Sequence, residues 1–349
     1  MDAATRLKAA ARTVLFAAAV LLHAHAHGDA NGALPERLSD TGLYVAGSTT
    51  QVRPGVLAFA PQYTLWSDGA DKQRWIALPP GTFIDASQPD AWQFPPGTRL
   101  WKEFSHAGRR VETRTIARLA DGSWRYATYL WNADGSDAVL APARGVAAWP
   151  VPQAPGGRYA VPSRGDCTGC HESAATPVLG FSALQLSAQR DQENKTLLNE
   201  LIARGLVRNL PRALTQQPPR IAARSATERA ALGYLHANCG HCHNRSGAGV
   251  PLRLTLAQSA ADPDASRADT VASLLGVKGR FRTPAWAEAA HLIEPGQPAR
   301  SALMLRMRSR DARLQMPPLG TDIADDEGLR LVERWIRHDL SVEPRSPTP

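Results

Sequence analysis

Cys167-Thr168-Gly169-Cys170-His171 and Cys239-Gly240-His241-Cys242-His243 decide how this chain is read. Each is C-x-x-C-H, the spacing that attaches a c-type haem. Two thiols form thioethers to the porphyrin edge, and the His that follows is held under the iron as proximal ligand. The chain has 4 Cys, all of them in these two strings. With 10 His in 349 residues, a His follows any given position about 3% of the time. Two C-x-x-C pairs that are both followed by His then arise by chance roughly once in a thousand. Two disulfides, a redox C-x-x-C or one zinc site with four Cys ligands would not need either His. The reading is two covalent haems c, attached at Cys167, Cys170, Cys239 and Cys242, with His171 and His243 on the irons.

Working outward, residues 1–26 read as a secretory signal peptide. Arg6, Lys8 and Arg12 make a basic start, Val14 to Leu22 an apolar run, and Ala24-His25-Ala26 a cleavage site. The apolar run is too short to anchor in a bilayer. Export agrees with covalent haem, so the expected location is the periplasm. His23, His25 and His27 belong to that junction. The net charge of +8 falls to about +6 on cleavage, because Arg6, Lys8 and Arg12 leave with Asp2. The sequence pI is about 9.7, but export argues against a nucleic-acid partner. The basic surface is Arg-rich, which suits haem propionates and acidic redox partners. No later segment is apolar for 18 residues, so no membrane span is expected after cleavage.

The expected fold class is α+β: an N-terminal antiparallel β-rich domain followed by α-helical cytochrome c-type haem regions. Residues 27–162 hold the β-rich domain and a Pro-rich linker, 163–220 the first haem segment, 221–342 a cytochrome c domain, and 343–349 a disordered tail. Residues 111–119 and 124–131 alternate in character, with Asp121-Gly122 and Asp134-Gly135 as turns. Seven of the nine Trp lie between Trp66 and Trp149, chiefly as core. Pro142, Pro150, Pro152, Pro155 and Pro162 mark the linker. Leu184 to Leu206 reads as helix.

Ser225-x-x-Glu228 is a capping box opening a helix that runs into Cys239. Asp325, Asp326 and Glu327 open another, whose apolar stripe is Leu329, Val332, Trp335 and Ile336. In a cytochrome c domain these two helices cross. Met316, in Gln315-Met316-Pro317-Pro318, is the candidate distal ligand of the second haem. Thioether ligation raises a haem's potential. Met304 and Met307 read as core of a helix.

From Leu34 to about Ile336 the chain resembles an uncharacterised family of exported bacterial di-haem c-type cytochromes. The C-terminal part is similar to a class I cytochrome c domain. Leu65-Trp66-Ser67-Asp68-Gly69-Ala70, Phe94-Pro95-Pro96-Gly97-Thr98 with Lys102, Glu112-Thr113-Arg114 and Tyr129-Leu130-Trp131-Asn132 carry the resemblance. Both C-x-x-C-H strings, Asn238-Cys239 and Met316-Pro317-Pro318 complete it. It implies an exported electron-transfer protein; the expected partners, redox proteins of the periplasm, follow from export and the haem motifs and not from the resemblance.

The first haem has no Met within reach, since none lies between Met1 and Met304. Segment 163–220 is too short for a domain of its own. That haem is therefore expected to pack against the β-domain, the C-terminal domain, or both. Its candidate distal ligands are His106, His236, His291, His338 and Lys102, with His the expected type, or no protein ligand at all. His241, inside the second motif, is not expected to ligate. An electron relay is the leading function. The alternative is a di-haem peroxidase or oxidase-like enzyme with an open first haem. A third class, a β-domain that docks a partner enzyme, is compatible with the relay.

Overall fold

The computed structural model describes residues 33–188, 196–245, 253–279, 282 and 290–341. The expected signal peptide, residues 1–26, and the expected tail, 343–349, lie outside the described residues. The fold is α+β.

Among the described residues, one antiparallel sheet of six strands dominates the first half, in the order β1-β2-β4-β5-β6-β7. Its strands are β1 (Leu57–Ala58), β2 (Asp71–Ala77), β4 (Arg99–His106), β5 (Arg109–Arg118), β6 (Trp124–Trp131) and β7 (Ala138–Leu140). The alternation predicted for 111–119 and 124–131 is that of β5 and β6. Both faces of the sheet are covered. Trp75, Trp101, Tyr129 and Trp131 pack on one face against Leu38, Leu43 and Tyr44. Ile76, Leu100, Ile116 and Tyr126 share a core with the rest of the chain on the other. Four of the seven clustered Trp (Trp75, Trp92, Trp101 and Trp131) are buried, as core filling requires.

The Pro-rich stretch is not a bare linker. β8 (Val146–Pro150) and β9 (Arg158–Val161) pair antiparallel, with a register shift between Val146 and Trp149. The prolines escape prediction as strand because they cannot donate to a ladder, yet a two-stranded ribbon has free edges that tolerate them.

The helix expected over 184–206 is corrected to α2 (Leu197–Ala203), which follows α1 (Arg164–His171). Residues 184–188 are not helical, and 189–195 lie outside the described residues. The capping group is Thr196, whose hydroxyl accepts from the Asn199 N–H at 3.1 Å. The helix is followed by β10 (Val207–Arg208), which pairs in parallel with β3 (Ile84–Asp85). That pairing ties the segment after the first motif back to the β-rich half.

α3 (Arg212–Gln216), α4 (Ala226–Asn238), α5 (Pro263–Leu274), α6 (Ala302–Arg308) and α7 (Asp326–Arg334) make up the remainder. Ser225 caps α4 by accepting from the Glu228 N–H at 2.9 Å. The Glu228 carboxylate does not return to Ser225. It binds the Arg224 N–H and pairs with Arg267 at 2.7 Å. The last turns after α7, Trp335–Asp339, widen into a π-helix, and Asp339 accepts from the Ser225 hydroxyl at 2.8 Å. Leu329, Val332, Trp335 and Ile336 are all buried, as the stripe predicts. α4 and α7 touch closely where Gly328 lies against the Tyr234 ring. Gly328→Ala should therefore destabilise the fold by about 1–3 kcal/mol through overpacking. Urea unfolding would measure this, and a loss below about 0.5 kcal/mol would contradict so tight a crossing.

Candidate functional site

The first motif is carried on α1. Its eight residues place Cys167, Cys170 and His171 at i, i+3 and i+4, on one face. Ser163 and Asp166 complete a reciprocal capping box at its start: Asp166 N–H donates to Ser163 Oγ at 3.1 Å, and Ser163 N–H donates to Asp166 at 2.8 Å. The S-x-x-D signal at 163–166 was legible in the sequence and not used. At the far end, His171 Nδ1 is 2.6 Å from the Pro177 carbonyl. A carbonyl only accepts, so Nδ1 carries the proton and donates it, which leaves Nε2 with its lone pair. It is the arrangement that orients a metal-ligating imidazole. The His171 ring also rests near Tyr126 of β6, 5.5 Å between centroids.

α1 faces a cavity of about 860 Å³, within the range of cofactor pockets. Cys167, Cys170 and His171 line one side, and the β-sheet face another. The third side belongs to the second motif and its surroundings, including Gly240, His241 and Gln258. The sheet face is unusual. Arg74, Lys102 and Arg114 are register partners on β2, β4 and β5, and all three line the cavity. Arg114 is paired with Glu112, which also accepts from the Tyr159 hydroxyl at 2.8 Å. Arg74 and Lys102 have no hydrogen bond or ion pair to the described residues. Burial lowers the Arg74 guanidinium to about 10. Burial, with Arg74 and Arg114 on either side, pushes the Lys102 ammonium well below the usual lysine range.

All four thiols are free and burial raises each of them, Cys170 to about 11 and Cys239 to about 12. A redox C-x-x-C instead depresses its nucleophilic thiol. Nor are the sulfurs gathered for zinc: among the described residues no three His, Cys, Asp or Glu side chains form an ion site.

The second motif follows α4 directly. Asn238 is buried and fixes it to the β-rich half, accepting from the Trp66 N–H at 2.7 Å. Its amide donates to the Tyr234 carbonyl at 2.9 Å and the Thr64 carbonyl at 3.3 Å. Asp68 accepts from the Asp322 and Ile323 N–H groups at 2.9 and 3.0 Å. The Leu65–Ala70 string thus holds both the motif and the loop that follows Met316. Gly240 is backed by the His236 carbonyl, 2.6 Å from where a Cβ would lie. Met316 and Cys239 line one small void with Tyr234, Asn238 and Met307. At about 20 Å³ that void is far smaller than a porphyrin. His243 lines neither space, and its buried Nδ1 has no partner among the described residues. The cavity at the first motif is large enough for a haem; at the second, of the expected ligands only Cys239 and Met316 reach the crevice, and Cys242 and His243 do not line it, so the described arrangement leaves no space for one there. Met304 and Met307 are buried in α6, as expected of core.

Of the distal candidates, His106, His236 and Lys102 line the large cavity, and His291 and His338 do not. His291 contacts Glu294 at 2.5 Å, and His338 is exposed near the C-terminal end of the described chain. His236 Nδ1 accepts from the Gln258 N–H at 3.0 Å, so its proton sits on Nε2 and no lone pair remains for a metal. His106 packs on Tyr159 at 5.7 Å, with Nε2 sealed from solvent and without a partner.

No protein-family profile, no curated protein and no solved structure matches the chain. No helix among the described residues is long and apolar enough to cross a membrane.

Burial pushes His236 down to about 4. The unfolded chain protonates it near pH 6.5, while the folded one does not until about pH 4. Stability should therefore fall as pH drops through that window, by roughly 2–3 kcal/mol from this group. His236→Gln should flatten the slope in urea unfolding run as a pH series. Equal slopes for the two proteins would contradict the assignment.

Proposed function

We propose that this chain is an exported di-haem c-type cytochrome that relays single electrons in the periplasm. Each haem would supply a one-electron Fe(III)/Fe(II) couple. The observation that carries the relay is a contact between the two attachment segments. The Asn244 amide, directly after the second motif, donates to the Ser173 carbonyl, two residues past the first motif, at 3.0 Å. Two redox groups held by abutting segments suit electron passage between them better than two independent tasks.

The chain's own residues divide the work. Cys167, Cys170, Cys239 and Cys242 would attach, and His171 and His243 would ligate. Pro177 orients His171 through the 2.6 Å bond. Arg74 and Arg114 bring fixed positive charge to the first site, which suits propionates and favours a bidentate grip. Met316 would ligate the second iron, and its thioether favours Fe(II) there. A nitrogen ligand on the first would favour Fe(III). Electrons would then run downhill from the first site to the second, and outward to redox proteins of the periplasm. The alternative of a peroxidase or oxidase-like enzyme requires an open first iron and a distal acid–base pair.

In a denaturing gel, haem stain should stay on the band, and intact mass should exceed the apo mass by two haems. Cys239→Ala with Cys242→Ala should remove one of them. Retention of zinc, or a single haem in the unsubstituted protein, would sink the reading. Met316→Ala should abolish a near-infrared sulfur–iron charge-transfer band in the oxidised protein and lower one of the two potentials. Loss of that band in Met307→Ala instead would move the ligand to α6.

A further inference from the structure

The sequence leaves the sixth ligand of the first haem open and favours histidine. The described fold removes most of the histidines. His291 and His338 do not line the cavity. His236 uses its only lone pair on the Gln258 N–H, and the His106 Nε2 is sealed among other atoms. His241 lines the cavity, but it sits between Cys239 and Cys242 inside the second motif.

We infer that Lys102 Nζ is the distal ligand of the haem attached at Cys167 and Cys170. This rests on reading that motif as a haem site. Lys102 is the middle residue of the rung Arg74–Lys102–Arg114, on the face of the sheet that lines the cavity opposite α1. A guanidinium keeps its proton under all ordinary conditions, so Lys102 is the only one of the three that can shed charge. Its neighbours on both strands are cations, and Arg114 already holds the Glu112 carboxylate. Among the described residues no carboxylate is ion-paired with the ammonium, and Glu112 Oε1 is taken by Arg114 and Tyr159. Its contact within the protein is with the Phe104 ring, 4.7 Å from Nζ to the centroid. A neutral amine in that position presents a lone pair to the cavity and has no hydrogen-bond donor to satisfy it. Lys102 and His171 both line this one cavity. Ligation would release one proton from the ammonium to solvent as the nitrogen lone pair binds iron. The oxidation state does not change.

The test uses the full-length exported protein with both haems confirmed by mass. Electron paramagnetic resonance and near-infrared magnetic circular dichroism of the oxidised form report the ligands of each iron. The native protein should show two low-spin haems, one with two nitrogen ligands. Lys102→Met and Lys102→Arg should each remove that nitrogen signature from one haem, leaving it high-spin or sulfur-ligated, with haem count and the Met316 band unchanged. Lys102→Arg keeps charge and bulk, so a purely structural role would be rescued by it. His241→Ala should leave both signatures in place. An unchanged spectrum in both Lys102 variants, a change only in His241→Ala, or a native high-spin haem would each overturn the assignment. A protein that lacks covalent haem at Cys167 and Cys170 would overturn the haem reading itself, and the mass spectrum separates that outcome from the others.

Discussion

The buried side chain of Asn238 joins the two halves of this protein at the point where the chemistry begins. It stands immediately before Cys239, and both ends of its amide are bonded to backbone. The oxygen accepts from Trp66, and the nitrogen donates to Tyr234 and Thr64. An amide so placed satisfies peptide groups that would otherwise be buried unpaired, at about 1–3 kcal/mol each. It also fixes where α4 ends relative to the β-rich half. Trp66 extends the same clamp by donating its indole N–H to the Ile323 carbonyl at 3.0 Å. The second motif, the loop after Met316 and the sheet are held in one arrangement by a few residues between Thr64 and Asp68.

That arrangement creates the large cavity as a by-product of docking. α1 meets the sheet at β6, where Tyr126 lies by His171, and the rung of cations on the same face lines the cavity beside it. Burying unpaired cations is costly unless an anion or a ligand interaction compensates. Arg114 has Glu112; Arg74 and Lys102 have no such partner. The group proposed for this site, with carboxylates and a metal, would supply the compensation that the described residues do not.

Burial sets the protonation throughout the site. His171 and His236 are both lowered to about 4 by desolvation, and the four thiols are raised. Neutral imidazoles can ligate, and neutral thiols are poor redox nucleophiles. The difference between His171 and His236 is made by one hydrogen bond each. His171 Nδ1–H donates to the Pro177 carbonyl, which leaves the Nε2 lone pair free, whereas His236 Nδ1 accepts from the Gln258 N–H, which fixes the other tautomer.

The sequence by itself singled out Cys167, Cys170, Cys239 and Cys242 as candidate attachment residues, because C-x-x-C-H is a local spacing that needs no fold to be recognised. It determined β5 and β6 through their alternation, the cap at Ser225 through a side chain that reaches only three residues, and the stripe on α7 through its period. It misjudged segment 184–206, where apolar residues suit a helix equally well as a buried irregular turn, and the Pro-rich hairpin, whose pairing joins residues from eight to fifteen positions apart. Only the tertiary structure decided which side chains meet across the cavity. Register brings Arg74, Lys102 and Arg114 into one rung from positions 28 and 12 residues apart, and backbone partners choose the tautomer of each histidine. Those are long-range relations between atoms, and local sequence carries no trace of them.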